Sequence, residues 1–73
     1  MNAIRFIRTK VFQMTQAEFA AVVGVKQYNV SRWETGNSPT LDEMSAIRSA
    51  AKGRALPWSD EWFFAPVELE KAS

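Results

Sequence analysis

Lys26, Gln27, Tyr28, Asn29 and Arg32 crowd into one short stretch of the chain. Glutamine and asparagine carry a donor and an acceptor side by side, and arginine carries a planar fork of donors. These heads match the edges that adenine and guanine turn toward the major groove of a duplex. Tyr28 can meet a thymine methyl group or give its hydroxyl to a phosphate, and Lys26 can reach a guanine edge or a phosphate. The competing interpretation is a polar helix face that water alone contacts.

Other chemistry has little to work with. The 73 residues contain no histidine and no cysteine. That removes the commonest general base and metal ligand, every thiolate and every disulfide. The carboxylates are scattered, and no glycine-rich phosphate loop is present. The chain is therefore not expected to be an enzyme, and no cofactor, metal or small-molecule ligand is expected. No apolar run approaches the roughly 20 residues of a membrane span, and no signal peptide is visible, so a cytoplasmic location is expected.

Two short helices must hold the polar stretch outward. Thr15 with Glu18 three residues on is a capping box, each side chain bonding the other's backbone N–H. Phe19, Ala20 and Val23 make an inward helical face. Gly24 ends that helix, since a left-handed residue is cheap only for glycine. A second helix is predicted from about Lys26 to Glu34, with Val30 and Trp33 as its inward pair. Ala20, four residues before Gly24, suits a steep helix crossing with no room for a larger side chain. Val25 and Val30 would plug the angle. Such a crossing leaves the outer face of the second helix, Ser31 included, unsupported and exposed.

The segments MTQAEFAAVVGV and VSRWETG resemble the helix-turn-helix of the Cro/C1-type (XRE-like) phage repressors and related bacterial regulators. Thr15, Gln16, Phe19, Ala20, Gly24, Val25, Gln27, Val30, Trp33, Glu34 and Gly36 carry the match. Looser similarity runs from about Ile4 to Ala51. The resemblance implies an all-α, five-helix, lambda-repressor-like DNA-binding domain, most like a single-domain Cro-type repressor. It implies a double-stranded, roughly palindromic operator, bound by a homodimer that can form on the DNA. Base contacts would come from Gln27, Tyr28, Arg32, Lys26 and Asn29. Phosphate contacts would come from Thr15 and Gln16 at the first-turn N–H groups, and from the loop carrying Thr35, Asn37 and Ser38. Lys26 departs from the family habit, because a capping Ser or Thr is common there and lysine cannot accept a bond from the first-turn amides. The family also pairs an arginine of the first helix with the glutamate ending the recognition helix. Arg8 and Glu34 are the candidates here, although the family commonly sets that arginine one residue nearer the Thr-Gln pair. A solvated arginine is the alternative.

Around this centre the chain reads as one domain over residues 1–66, with a tail, 67–73, expected to fray. Asn2 can cap a first helix to about Phe12, with Ile4, Ile7 and Val11 inward and Phe6 and Phe12 off that line. Thr35 to Pro39 is a turn cluster. Thr40 and Glu43 form a second capping box before a helix from Leu41 to about Lys52. Its inward stripe is Leu41, Met44, Ile47 and Ala51, and Gly53 is the expected left-handed residue after it. Ser59-Asp60-Glu61 starts a short fifth helix, ended by Pro66. Trp58, Trp62, Phe63 and Phe64 are more apolar surface than one short helix hides. Trp62 is assigned to the core, and parts of Trp58, Phe63 and Phe64 to a dimer interface. Charge divides along the chain: residues 1–54 hold eight Lys/Arg against four acids, and residues 55–73 one against four. A basic body with an acidic end suits a domain that meets a polyanion with one face. Two other readings stand beside this one: an antitoxin or similar small regulator whose aromatic end binds a partner protein, and a protein-interaction module that no longer binds DNA.

Overall fold

The computed structural model describes residues 2–64, and all its regular structure is helical. The first element, α1, spans Ala3–Phe6 and runs on without a break as a π-helical stretch, Ile7–Phe12. Then follow α2, Gln16–Val23; α3, Gln27–Glu34; and α4, Leu41–Gly53. The expected fifth helix is a single 3-10 turn, Asp60–Phe63, so the described residues hold four helices and this turn. The expected stop at Pro66 and the tail, 67–73, lie outside the described residues.

The π stretch decides which aromatic enters the core. In π geometry the residue five positions on comes to the same face. Ile7 thus brings in Phe12, which is buried, whereas Val11 is only partly so. A regular α-helix would have turned Val11 inward, as expected from the sequence. Phe12 meets Phe19 of α2 edge to face, with ring centroids 4.9 Å apart. Gln13 then takes the left-handed conformation that ends the helix.

The core is one cluster: Ile4, Ile7, Phe12, Phe19, Ala20, Val30, Trp33, Ile47 and Ala51. Each of the four helices contributes to it. Ala20 is buried where α2 and α3 pack together, and Val25 packs partly buried beside them.

Helix α4 departs from its expected stripe at both ends. Ile47 and Ala51 are buried and Met44 is half-buried, but Leu41 is 82% exposed. It stands in the first turn of α4, beyond the reach of the core. At the other end Gly53 stays helical, and Ala55 takes the left-handed conformation, φ 57°. The amide of Leu56 donates to the carbonyl of Ala51 at 2.9 Å, and that of Ala55 to Lys52 at 3.1 Å. This is a complete Schellman ending with alanine at the glycine position. It directs Leu56 back against the core.

The C-terminal segment lies against α1. Trp62 is half-buried and meets Phe6 edge to face at 5.9 Å. Trp58 contacts both Trp62 and Phe63 in the same manner, at 5.7 and 5.3 Å. The indole N–H of Trp58 donates to Asp60, and a guanidinium nitrogen of Arg48 donates to both oxygens of that carboxylate. The bond from Trp58, then the pairing with Arg48, hold the Asp60 carboxyl below its ordinary range.

Candidate nucleic-acid interface

The interface is built on the α2–α3 crossing. Thr15 caps α2 through its hydroxyl, which accepts from the Glu18 amide at 3.1 Å, while the Glu18 carboxylate accepts from the Thr15 amide at 2.9 Å. Those bonds, from the Thr15 backbone first and its side chain second, hold the Glu18 carboxyl below its ordinary value. Gly24 ends α2 with φ 90°, and the amides of Gly24 and Val25 both donate to the carbonyl of Ala20. The space where a Cβ would stand at Gly24 is open. Backbone conformation alone therefore demands glycine there.

Lys26 stands at the N-cap of α3, and its side chain makes no capping bond, as its chemistry predicts. Val30 and Trp33 are buried, at 0% and 4% exposure. With that pair inward, the remaining faces of the helix are turned toward solvent. Lys26, Gln27, Tyr28 and Arg32 are exposed, and Asn29 and Ser31 are half-exposed. Tyr28 is 56% exposed. Among the described residues the ion pairs are Arg8–Glu34 and Arg48–Asp60, so the charges of Lys26 and Arg32 are not taken up by either.

The exit of α3 is held from the first helix. Arg8 meets Glu34 through both carboxylate oxygens, at 2.6 and 3.1 Å. The same guanidinium donates to the carbonyl of Met14 at 3.0 Å. The pair is nearly buried, with side chains 14% and 8% exposed. The partnership implied by the resemblance is therefore present, with Arg8 as the arginine. Gln16 joins it, donating one amide hydrogen to Glu34 at 3.3 Å. A primary amide has two such hydrogens, so the second is not taken up by this bond.

Beyond α3, Thr35, Gly36, Asn37 and Ser38 are exposed and Pro39 is buried, anchoring the far end of the loop. Asn37 and Ser38 share a polar groove with Asn29 and Arg32 of α3. The amide of Asn37 donates to the carbonyl of Arg32 at 3.0 Å, which turns the loop back along the helix. Thr35 differs from its neighbours. Its hydroxyl donates to the carbonyls of Ser31 and Arg32, and its amide also donates to Arg32. Both of its donors are engaged within the chain.

The geometry thus brings Lys26, Gln27, Tyr28, Arg32 and Asn29 together with Gln16, Asn37 and Ser38 around one helix and its exit loop. Trp58, Phe63 and Phe64 lie apart, on the C-terminal segment. Trp58 and Phe63 are half-buried, and Phe64 is 75% exposed. Two features escaped the sequence. Gln16 gave no sign of its bond to Glu34. Asn2 was legible as the cap of α1, but its amide nitrogen also donates to the carbonyl of Trp33, at 2.8 Å.

No curated protein and no solved structure matches the chain. A family model does: the helix-turn-helix model covers residues 12–52, from the buried Phe12 through α2, α3 and most of α4. With the matched span centred on the capped α2, the glycine turn and the outward α3, the chain belongs to the Cro/C1-type helix-turn-helix family, whose members are DNA-binding and not enzymatic.

Proposed function

We propose that this chain is a sequence-specific regulator of transcription, a Cro-like repressor that lays α3 in the major groove of double-stranded DNA. One observation carries the reading. With Val30 and Trp33 buried, α3 leaves Gln27, Tyr28 and Arg32 exposed, polar heads suited to base edges. Gln27 and Tyr28, in the first turn, enter deepest, where recognition helices make most base contacts. Arg32 follows one turn on, with Lys26 and Asn29 flanking. Gln16 and Thr15 hold a phosphate at the start of α2, and Asn37 and Ser38 hold another beyond α3. Thr35 supports the loop from within, because its donors are already used.

A homodimer on a roughly palindromic operator completes the reading, with half-sites about 34 Å apart. Its contact lies at the C-terminal end. There Leu41, Met44, Phe63 and Phe64 line an apolar groove, and Leu41 and Phe64 are among the most exposed apolar side chains. Repression follows by occupancy: a bound dimer blocks polymerase at an overlapping promoter. The same groove favours the second reading, a small regulator whose C-terminal end takes a partner protein.

Selection from random duplexes tests both levels. The proposal expects recovered sites with twofold symmetry and a spacing of one helical turn. Binding to the selected site should weaken with salt, log K falling by about 0.9 per phosphate neutralised for each unit of log salt. Failure to enrich any sequence would overturn the reading, and enrichment of single half-sites would remove the dimer.

A further inference from the structure

Asn2 acts at both ends of its short side chain. Its carbonyl oxygen accepts from the amides of Ile4 and Arg5, at 2.8 and 3.3 Å, and so caps α1. Its amide nitrogen donates to the carbonyl of Trp33, 31 residues away, at 2.8 Å. The orientation of the amide is set by its surroundings. Reversing it would place hydrogens against two N–H groups and an oxygen against a carbonyl.

Trp33 lies in the last turn of α3, where carbonyls lack a partner within the helix. Those of Ser31 and Arg32 find theirs locally. Thr35 serves Ser31 and Arg32, and Asn37 also serves Arg32. The carbonyl of Trp33 is served from the first helix. The next residue, Glu34, is gripped by Arg8 of the same helical segment. Two consecutive residues at the exit of α3 are therefore tied to α1, one by its backbone and one by its side chain. The loop 35–38 starts immediately afterwards.

We infer that Asn2 is a positioning residue for DNA binding: it caps α1 and α3 with one side chain and thereby sets the pose of the recognition helix and its phosphate loop. This rests on the proposed reading of α3 and the loop as the DNA face. The Arg8 pair holds the side chain of Glu34, and Asn2 adds a hold on the backbone carbonyl just before it. With Asn2 in place, the loop 35–38 starts from a fixed point before DNA arrives.

Asn2→Asp separates the two roles. Aspartate caps a helix about as well as asparagine, and its charge suits a helix N-terminus. It has no donor for Trp33, and it sets an oxygen against that carbonyl. Asn2→Ser, which caps through a side chain too short to reach Trp33, is the second variant and carries the test if the carboxylate lowers the melting temperature.

The probe is a duplex recovered from random-sequence selection with the unmodified chain, beside an unrelated duplex of the same length. Whichever variant is fully folded at the assay temperature should bind both duplexes about five- to tenfold more weakly, the worth of one hydrogen bond. Amide hydrogen exchange at residues 35–38 should speed up, while that in α2 should not. Unchanged affinity and unchanged loop exchange in a folded variant would overturn the inference. A lowered melting temperature alone, with full binding retained, would do the same, since it leaves Asn2 as a cap only. If the unmodified chain enriches no duplex, the DNA reading itself fails. Exchange at 35–38 in the variants then still decides whether Asn2 holds the loop.

Discussion

Two arginine–carboxylate pairs tie separate elements of the chain together, and they do different things. Arg8–Glu34 joins the first helix to the exit of α3, nearly buried, with Gln16 and the carbonyl of Met14 filling out its hydrogen bonds. Arg48–Asp60 ties the C-terminal segment to α4 at the surface, with side chains 37% and 57% exposed. A buried pair that loses one partner strands a charge away from water, whereas an exposed one returns it to solvent. The first pair therefore fixes geometry, and the second only biases it. The surrounding surfaces differ in the same sense. The α2–α3 end buries its apolar side chains and presents polar heads. The C-terminal end leaves Leu41 and Phe64 exposed beside Met44 and Phe63.

Arg8→Ala should show the largest effect, a loss of about 3 kcal/mol from the stranded Glu34 carboxylate, read by urea unfolding. In a domain this small that is a large fraction of total stability. A loss below 1 kcal/mol would erase the distinction between the two pairs. Gly24→Val should come next, at about 1–3 kcal/mol, because valine must adopt a positive φ in otherwise open space. An undiminished midpoint would show that the α2–α3 turn does not depend on that conformation.

Acid should act more gently. Glu18 and Asp60 both have folded-state carboxyls held below their ordinary values of 4.5 and 3.8. Each adds stability above the ordinary value, and that stability is lost as pH falls through the depressed one. Thermal melts should decline as pH drops below about 4.5, and Glu18→Gln should flatten the upper part of that decline. A variant as steep as the parent would remove Glu18 from the account. The smallest change is expected for Arg48→Ala, which should leave the melting temperature within about 2 °C. A larger fall would mean that the surface pair holds the aromatic segment in place.

The sequence revealed the α2–α3 half well, for a physical reason. Its signals are local: the Thr15–Glu18 box, the left-handed Gly24, and Val30 and Trp33 three residues apart. Each works within one helical turn, and the structure keeps every one of them. The same holds for the Thr40–Glu43 box of α4. What could not be read depends on partners distant in sequence, or on competition between similar local choices. Phe12 displaces Val11 because the helix widens to π geometry, which no periodicity announces. The left-handed residue after α4 falls on Ala55 and not Gly53, because the longer helix lets Leu56 reach the core. Leu41 fits the apolar stripe of α4, but there is no core beneath its first turn. The candidate base-reading residues were legible as an outward face. The bonds of Gln16 to Glu34 and of Asn2 to Trp33 were not, since both join elements that only tertiary packing brings together.

The central claim is that α3 reads bases through its outward face, and Gln27→Ala tests it most directly. The measurement is affinity for the selected duplex and for single-base variants of it, at fixed salt. The account predicts a loss of about 1–3 kcal/mol on the selected site, with discrimination relaxed at one base pair per half-site and kept elsewhere. An equal loss on every duplex, or no loss on any, would contradict it.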